Sequence, residues 1–230
     1  MIELVVLPGL DGTATLLSEF KSASMASFTS VTTVSYPLDT ALNYAELESI
    51  ARDALPKDKP FVLLGESFSG PIALSIAANP PPGLIGLVLS ATFAKNPVTL
   101  LRPFAAFTRF APVRALPVSI LSWFLLGSWA TPQLKSALRS ALYSVTPAVL
   151  RTRAAESLRV DVTSCLSRIS VPVLYLRATH DRLIFSGSGN RILSAIPHSK
   201  HINIAGPHLL LQAAPVACAQ AVADFADTLR

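Results

Sequence analysis

Short apolar runs recur along the chain, and each ends at a turn residue. Leu4 to Leu7 stops at Pro8-Gly9, Phe61 to Leu64 at Gly65, and Leu84 to Leu89 at Ser90. Runs this short, with little polar alternation, suit strands buried on both faces. Val31 to Tyr36 is β-branched and aromatic and stops at Pro37, as a strand would. Further strands are predicted over Val171 to Leu176 and near His201 to Ile204. Between these runs the spacing turns helical. Helices are predicted over Thr13 to Phe28, Tyr44 to Leu55, Ser67 to Ala78, Gly189 to Ile196 and Leu210 to Leu229. The second of these puts Tyr44, Leu47, Ile50, Ala51 and Ala54 on one face.

The rhythm changes at residue 95. The next stretch reads as helical, broken at Pro103, Pro112, Pro117, Pro132 and Pro147. Strands alternating with helices predict an α/β fold, with a mostly parallel central sheet covered by helices on both faces. Residues 1–94 and 171–230 are expected to form that core, and residues 95–170 a helical cap inserted over it. No internal repeat or low-complexity linker interrupts the pattern.

Composition supports a folded domain. Of the 230 residues, 51% are hydrophobic and 14% charged, which is not a disordered composition. Met1 leads straight into an apolar strand with no basic and hydrophobic leader. The apolar stretch Val118 to Leu126 falls short of the roughly 20 residues a membrane span needs. Cys165 and Cys218 are too few for a disulfide framework and lack metal-ligand spacing. A reducing, cytoplasmic location is the default expectation, and no metal or cofactor is expected. The net charge of +5 is uneven. Residues 95–170 carry ten Lys and Arg against Glu156 and Asp161. The arginines are scattered among apolar residues with no nucleic-acid motif beside them, so nucleic acid is not an expected partner.

Three segments carry candidate chemistry. In Leu63-Leu64-Gly65-Glu66-Ser67-Phe68-Ser69-Gly70 a serine stands where a buried strand meets a helix. A tight strand-to-helix turn needs small residues two before and two after the serine, and Gly65 and Ser69 supply them. The helix start favours developing negative charge. Taken alone, Ser67 could equally be a helix cap. Asp181 follows the strand Val171 to Leu176, at the sheet edge where open α/β folds bind ligands. Ser90-Ala91-Thr92, after the preceding strand, offers no carboxylate. His208 lies between the last strand and the last helix. His180 adjoins the acid in sequence, while His198 and His201 flank the start of the last strand. His208 alone has the position and chain order of a base serving Ser67 and held by Asp181.

A fourth segment, Leu7-Pro8-Gly9-Leu10-Asp11-Gly12, opens a strand into a glycine-containing loop. The N–H of Leu10 could join that of Phe68 as an oxyanion hole. Ordinary turn chemistry explains the same glycines. A phosphate cradle is weaker, because the dinucleotide pattern and a Lys-Ser/Thr pair are both missing.

Together the four segments resemble the α/β-hydrolase superfamily, from Met1 to about Thr92 and from about Val171 to the end. Pro-Gly-Leu-Asp-Gly-Thr and Gly-Glu-Ser-Phe-Ser-Gly-Pro look like the corresponding segments of small bacterial carboxylesterases and of related thioesterase-like or acyltransferase members. Two departures stand out. The chain starts at the strand before the oxyanion loop, so the family's first two strands are expected to be missing. Leu7-Pro8-Gly9 also replaces the frequent His-Gly. The resemblance implies metal-free acyl transfer, with Ser67 attacking, His208 moving the proton and Asp181 orienting it. A small-molecule carboxylic ester is the expected substrate. An acyl-thioester hydrolase or acyltransferase, or a non-catalytic ligand-binding version of the fold, stands as the alternative.

The cap segment carries Phe104, Phe107, Phe110, Trp123, Phe124 and Trp129. Each can simply pack the cap. As a set they suggest an apolar acyl or alcohol group, with Trp123, Phe124 and Leu209 as substrate-binding candidates. The basic residues of the cap are expected on solvated faces. Attraction to an anionic substrate or to a membrane surface is the second reading.

Overall fold

The computed structural model describes residues 2–97 and 117–230. Phe104, Phe107, Phe110, Pro103 and Pro112 lie outside the described residues. The strands are β1 (Glu3–Leu7), β2 (Val31–Thr33), β3 (Phe61–Glu66), β4 (Leu84–Ser90), β5 (Val173–Ala178) and β6 (Ser199–Ile204). All pair in parallel, in the order β2-β1-β3-β4-β5-β6.

Each central strand is apolar on both faces because both faces are covered. In β3 all six residues are buried. Phe61 and Leu63 join Val5, Leu7, Leu87, Leu89, Val173 and Tyr175 on one side. Val62 and Leu64 join Leu4, Val6, Val88, Leu174 and Leu176 on the other. That is the two-residue alternation of a strand between two helical layers. On the first side lie α2 (Tyr44–Asp53), α3 (Gly70–Ala78) and α7 (Ser186–Ala195). On the second lie α1 (Ser18–Ser24) and α9 (Pro215–Asp227). Eight of the nine residues of α3 are buried, which is why it shows no polar stripe. The start of α2 is fixed by a capping box: Glu46 N–H donates to Asn43 Oδ1 at 3.0 Å, and Asn43 N–H to Glu46 Oε2 at 2.8 Å.

Several boundaries differ from expectation for local reasons. The final helix divides into α8 (Leu210–Ala213) and α9, because Pro215 has no N–H to continue the ladder. A 3-10 turn at Thr15–Leu17 precedes the short α1, where one long helix was predicted. β6 begins at Ser199, so His201 lies within it and is exposed. In the stretch between β4 and β5, Pro132 and Pro147 start helices rather than break them. They occupy first-turn positions of α5 (Pro132–Ser144) and α6 (Pro147–Arg159), while Pro117 precedes α4 (Val118–Leu125).

That stretch is pinched at its base. Lys95 bridges Asp161, with their side chains ion-paired at 2.8 Å. Asn96 N–H reaches Val160 O, and Val162 N–H reaches Ala94 O. Beyond the pinch, Cys165, Leu166 and Ile169 pack into the core beside α3.

The strand order also positions the site. From β1 the chain moves outward to β2, then crosses back to β3 and continues the other way. Ligands of open α/β sheets bind where that reversal occurs, beyond the carboxyl ends of the strands. Here those ends lead into Pro8-Gly9 and Ser67.

Candidate active site

Ser67 follows β3 directly, in a 3-10 turn (Ser67–Ser69) that leads into α3. Its φ is +46°, a left-handed conformation a non-glycine residue holds only when its surroundings enforce it. Those surroundings are tight. A Cβ on Gly65 would lie 2.6 Å from Ala73 Cβ, and one on Gly70 would lie 1.8 Å from Thr92 Oγ1. Thr92 Oγ1 donates to Ser67 O at 2.5 Å. Tyr175 in turn clasps the Thr92 backbone, accepting from its N–H at 3.1 Å and donating to its carbonyl at 2.7 Å. Ser69 is fully buried. Its hydroxyl donates to Pro8 O and meets Tyr36 Oη at 3.0 Å, so the polar residue in the second small position ties the elbow to the loop after β1.

The structure brings Ser67, His208 and Asp181 together. Ser67 Oγ lies 2.8 Å from His208 Nε2, and His208 Nδ1 lies 2.8 Å from Asp181 Oδ2. A carboxylate only accepts, so Nδ1 carries the proton and Nε2 is free to accept from the serine. The other oxygen of Asp181 accepts from the N–H groups of Leu183 and Ile184, both at 2.8 Å. The His208 and Asp181 side chains are 2% and 5% exposed. The remaining histidines lie elsewhere. His180 bonds Thr179 Oγ1 and packs near Trp129, and His198 and His201 are exposed.

Leu10 and Phe68 both border the space in front of Ser67. Among the described residues the Leu10 N–H donates to no backbone carbonyl. Phe68 sits in a first turn, where no intrahelical acceptor exists. Tyr44 holds Phe68 in place, stacking on its ring at 4.8 Å and donating to its carbonyl at 3.0 Å.

A cavity of about 390 Å³ opens at Ser67. Leu121 and Leu125 of α4, Leu138 and Leu142 of α5 and Leu158 of α6 line it, with Leu209 beside His208. Trp123 and Phe124 do not line it. They are 56% and 41% exposed, because α4 turns Leu121 and Leu125 inward instead. Loops of the site hold this helix: Leu209 N–H donates to Leu125 O at 3.0 Å, and Arg182 donates to Trp123 O at 2.8 Å.

Sequence reasoning missed two buried acids and one buried cation. Glu66, 2% exposed, accepts from Gln212 Nε2 at 2.9 Å. Burial pushes its pKa up to about 7. Asp11 is held by Thr13 N–H at 2.9 Å, and burial raises it too. Arg153 of α6 is 1% exposed, where a solvated cation was expected. No sequence pattern marks these three, because each is defined by partners distant in the chain. Among the described residues no three His, Cys, Asp or Glu side chains gather as metal ligands, and no helix is long and apolar enough to cross a membrane.

No protein-family model matches the chain, and no curated protein does. Solved structures do. The enol-lactonase from Burkholderia xenovorans LB400 superposes with a TM-score of 0.83 at 16% identity, over 98% of this chain and 91% of that one. The chain has the α/β-hydrolase fold. A thermophilic esterase from Thermogutta terrifontis gives 0.81 at 18% identity, over 99% and 89% of the two chains. A hydrolase from Pseudomonas aeruginosa PA01 gives 0.80 at 20%, over 97% and 89%. In an α/β-hydrolase fold the chain order serine, acid, histidine is the order met here by Ser67, Asp181 and His208.

Proposed function

We propose that this protein is a serine hydrolase that cleaves carboxylic esters bearing an apolar acyl or alcohol group. The observation that carries the reading is the unbroken hydrogen-bonded line Ser67–His208–Asp181, whose serine and histidine line a leucine-rich cavity. As Ser67 Oγ attacks the ester carbonyl, its proton passes to His208 Nε2, and Asp181 stabilises the resulting imidazolium. The Leu10 and Phe68 N–H groups receive the oxyanion. Collapse of the tetrahedral species expels the alkoxide, which takes the proton from His208. A water, deprotonated by His208, then releases the acid from the acyl-enzyme. The leucines of α4, α5 and α6 cap the site and, with Leu209, bind the apolar group. The same machinery would accept an acyl thioester, with a thiolate in place of the alkoxide.

The test is hydrolysis of p-nitrophenyl esters of increasing acyl length by wild type and Ser67→Ala. The proposal expects turnover with a length optimum in wild type, lost by about 10⁶ in the variant. Equal turnover in both proteins would remove Ser67 from the chemistry.

A further inference from the structure

The loop that carries the Leu10 N–H is built around a cation supplied by the insertion. Arg153 Nη1 donates to Leu10 O at 3.0 Å and to Asp11 O at 2.7 Å, and Nη2 donates to Pro37 O at 2.8 Å. The Tyr36 ring centre lies 5.7 Å from the guanidinium carbon. Gly12, at φ +71°, cannot carry a side chain: its Cβ would fall 2.3 Å from Nη1. The guanidinium therefore occupies the concave side of the turn.

These contacts reach the oxyanion donor through planar peptides. Arg153 fixes the carbonyls, and so the planes, of the Leu10–Asp11 and Asp11–Gly12 peptides. The Gly12 N–H then closes the turn on Gly9 O at 3.0 Å. That bond sets the Gly9–Leu10 plane, whose N–H is the Leu10 donor. The charge acts in the same direction. Asp11 and Glu66 are buried acids beside the loop, and Arg153 is the cation facing Asp11.

We propose that Arg153 is a positioning residue for ester hydrolysis, aiming the Leu10 N–H at the oxyanion and coupling that aim to the seating of α6. The inference rests on the serine-hydrolase reading. A lysine at 153 has one compact ammonium, which cannot span the Leu10, Asp11 and Pro37 carbonyls as the planar fork does. A displaced oxyanion donor is felt in the transition state and not in substrate binding.

The experiment compares wild type, Arg153→Lys and Ser67→Ala with one p-nitrophenyl ester, well below each protein's Tm. It adds the affinity for an alkylboronic acid, which forms a tetrahedral adduct on serine, and amide exchange of residues 8–14. Arg153→Lys should lose about 100-fold in kcat, the cost of one oxyanion donor. KM should stay within about twofold, boronate affinity should fall with kcat, and the Gly12 amide should exchange faster. A purely structural residue would lower Tm and leave kcat and boronate affinity alone. Should Arg153→Lys not fold, Arg153→Ala measured with and without sub-denaturing guanidinium replaces it; restored kcat supports the inference, and no restoration in a cooperatively melting protein opposes it. An inactive Ser67→Ala beside a fully active Arg153→Lys overturns the positioning role alone. Turnover surviving in Ser67→Ala overturns the hydrolase reading and this inference with it.

Discussion

Glu66 precedes the serine, is 2% exposed and has its pKa pushed by burial from 4.5 to about 7. In the native state it keeps its proton up to about pH 7, whereas the unfolded chain releases it near 4.5. The unfolded state then binds fewer protons, so stability falls as pH rises through that window. At about 1.36 kcal/mol per pH unit, the loss from this residue is about 3 kcal/mol between pH 4.5 and 8. Glu66→Gln keeps the shape and cannot ionise. Urea unfolding at 25 °C, followed by tryptophan fluorescence at several pH values, measures the effect. Relative to wild type, the variant should gain about 3 kcal/mol on going from pH 4.5 to pH 8. Stability curves that run parallel across this range would refute the reasoning, because Glu66 would then titrate alike in both states.

Other perturbations test the scaffold and the cavity. Tyr175→Phe strips the Thr92 N–H and carbonyl of their buried partner, and chemical denaturation should show a loss of about 1–3 kcal/mol. Gly70→Ala drives a methyl into Thr92 and should abolish cooperative melting or cost several kcal/mol. Leu142→Trp fills part of the cavity, so the p-nitrophenyl ester optimum should shift to shorter acyl chains. Each lost methylene contact is worth about 1–3 kcal/mol in kcat/KM.

The parallel sheet was legible because burial on both faces forces continuous apolar strands, as in Phe61 to Leu64. Ser67, Asp181 and His208 were legible because each stands where a strand ends, and chain order separates His208 from His180, His198 and His201. What escaped depends on partners remote in sequence. Arg153 looks like any cation of a basic helix until the Leu10 and Asp11 carbonyls, 143 and 142 positions away, are placed on it. Trp123 and Phe124 drew attention by size, but helical phase decides which residues face inward, and α4 presents Leu121 and Leu125. Ser69 looked like a small-residue substitute for glycine, and its bonds to Pro8 and Tyr36 appear only when β1 and β3 lie side by side.

The central claim is that His208 and Asp181 make Ser67 a nucleophile. The most direct measurement is intact-protein and peptide mass spectrometry after brief exposure to an alkyl fluorophosphonate, for wild type, Ser67→Ala and His208→Ala. The account predicts a single adduct on the Ser67 peptide of wild type, none in Ser67→Ala, and labelling slowed by orders of magnitude in His208→Ala. An unlabelled wild type, an adduct on another residue, or equal labelling rates with and without His208 would contradict it.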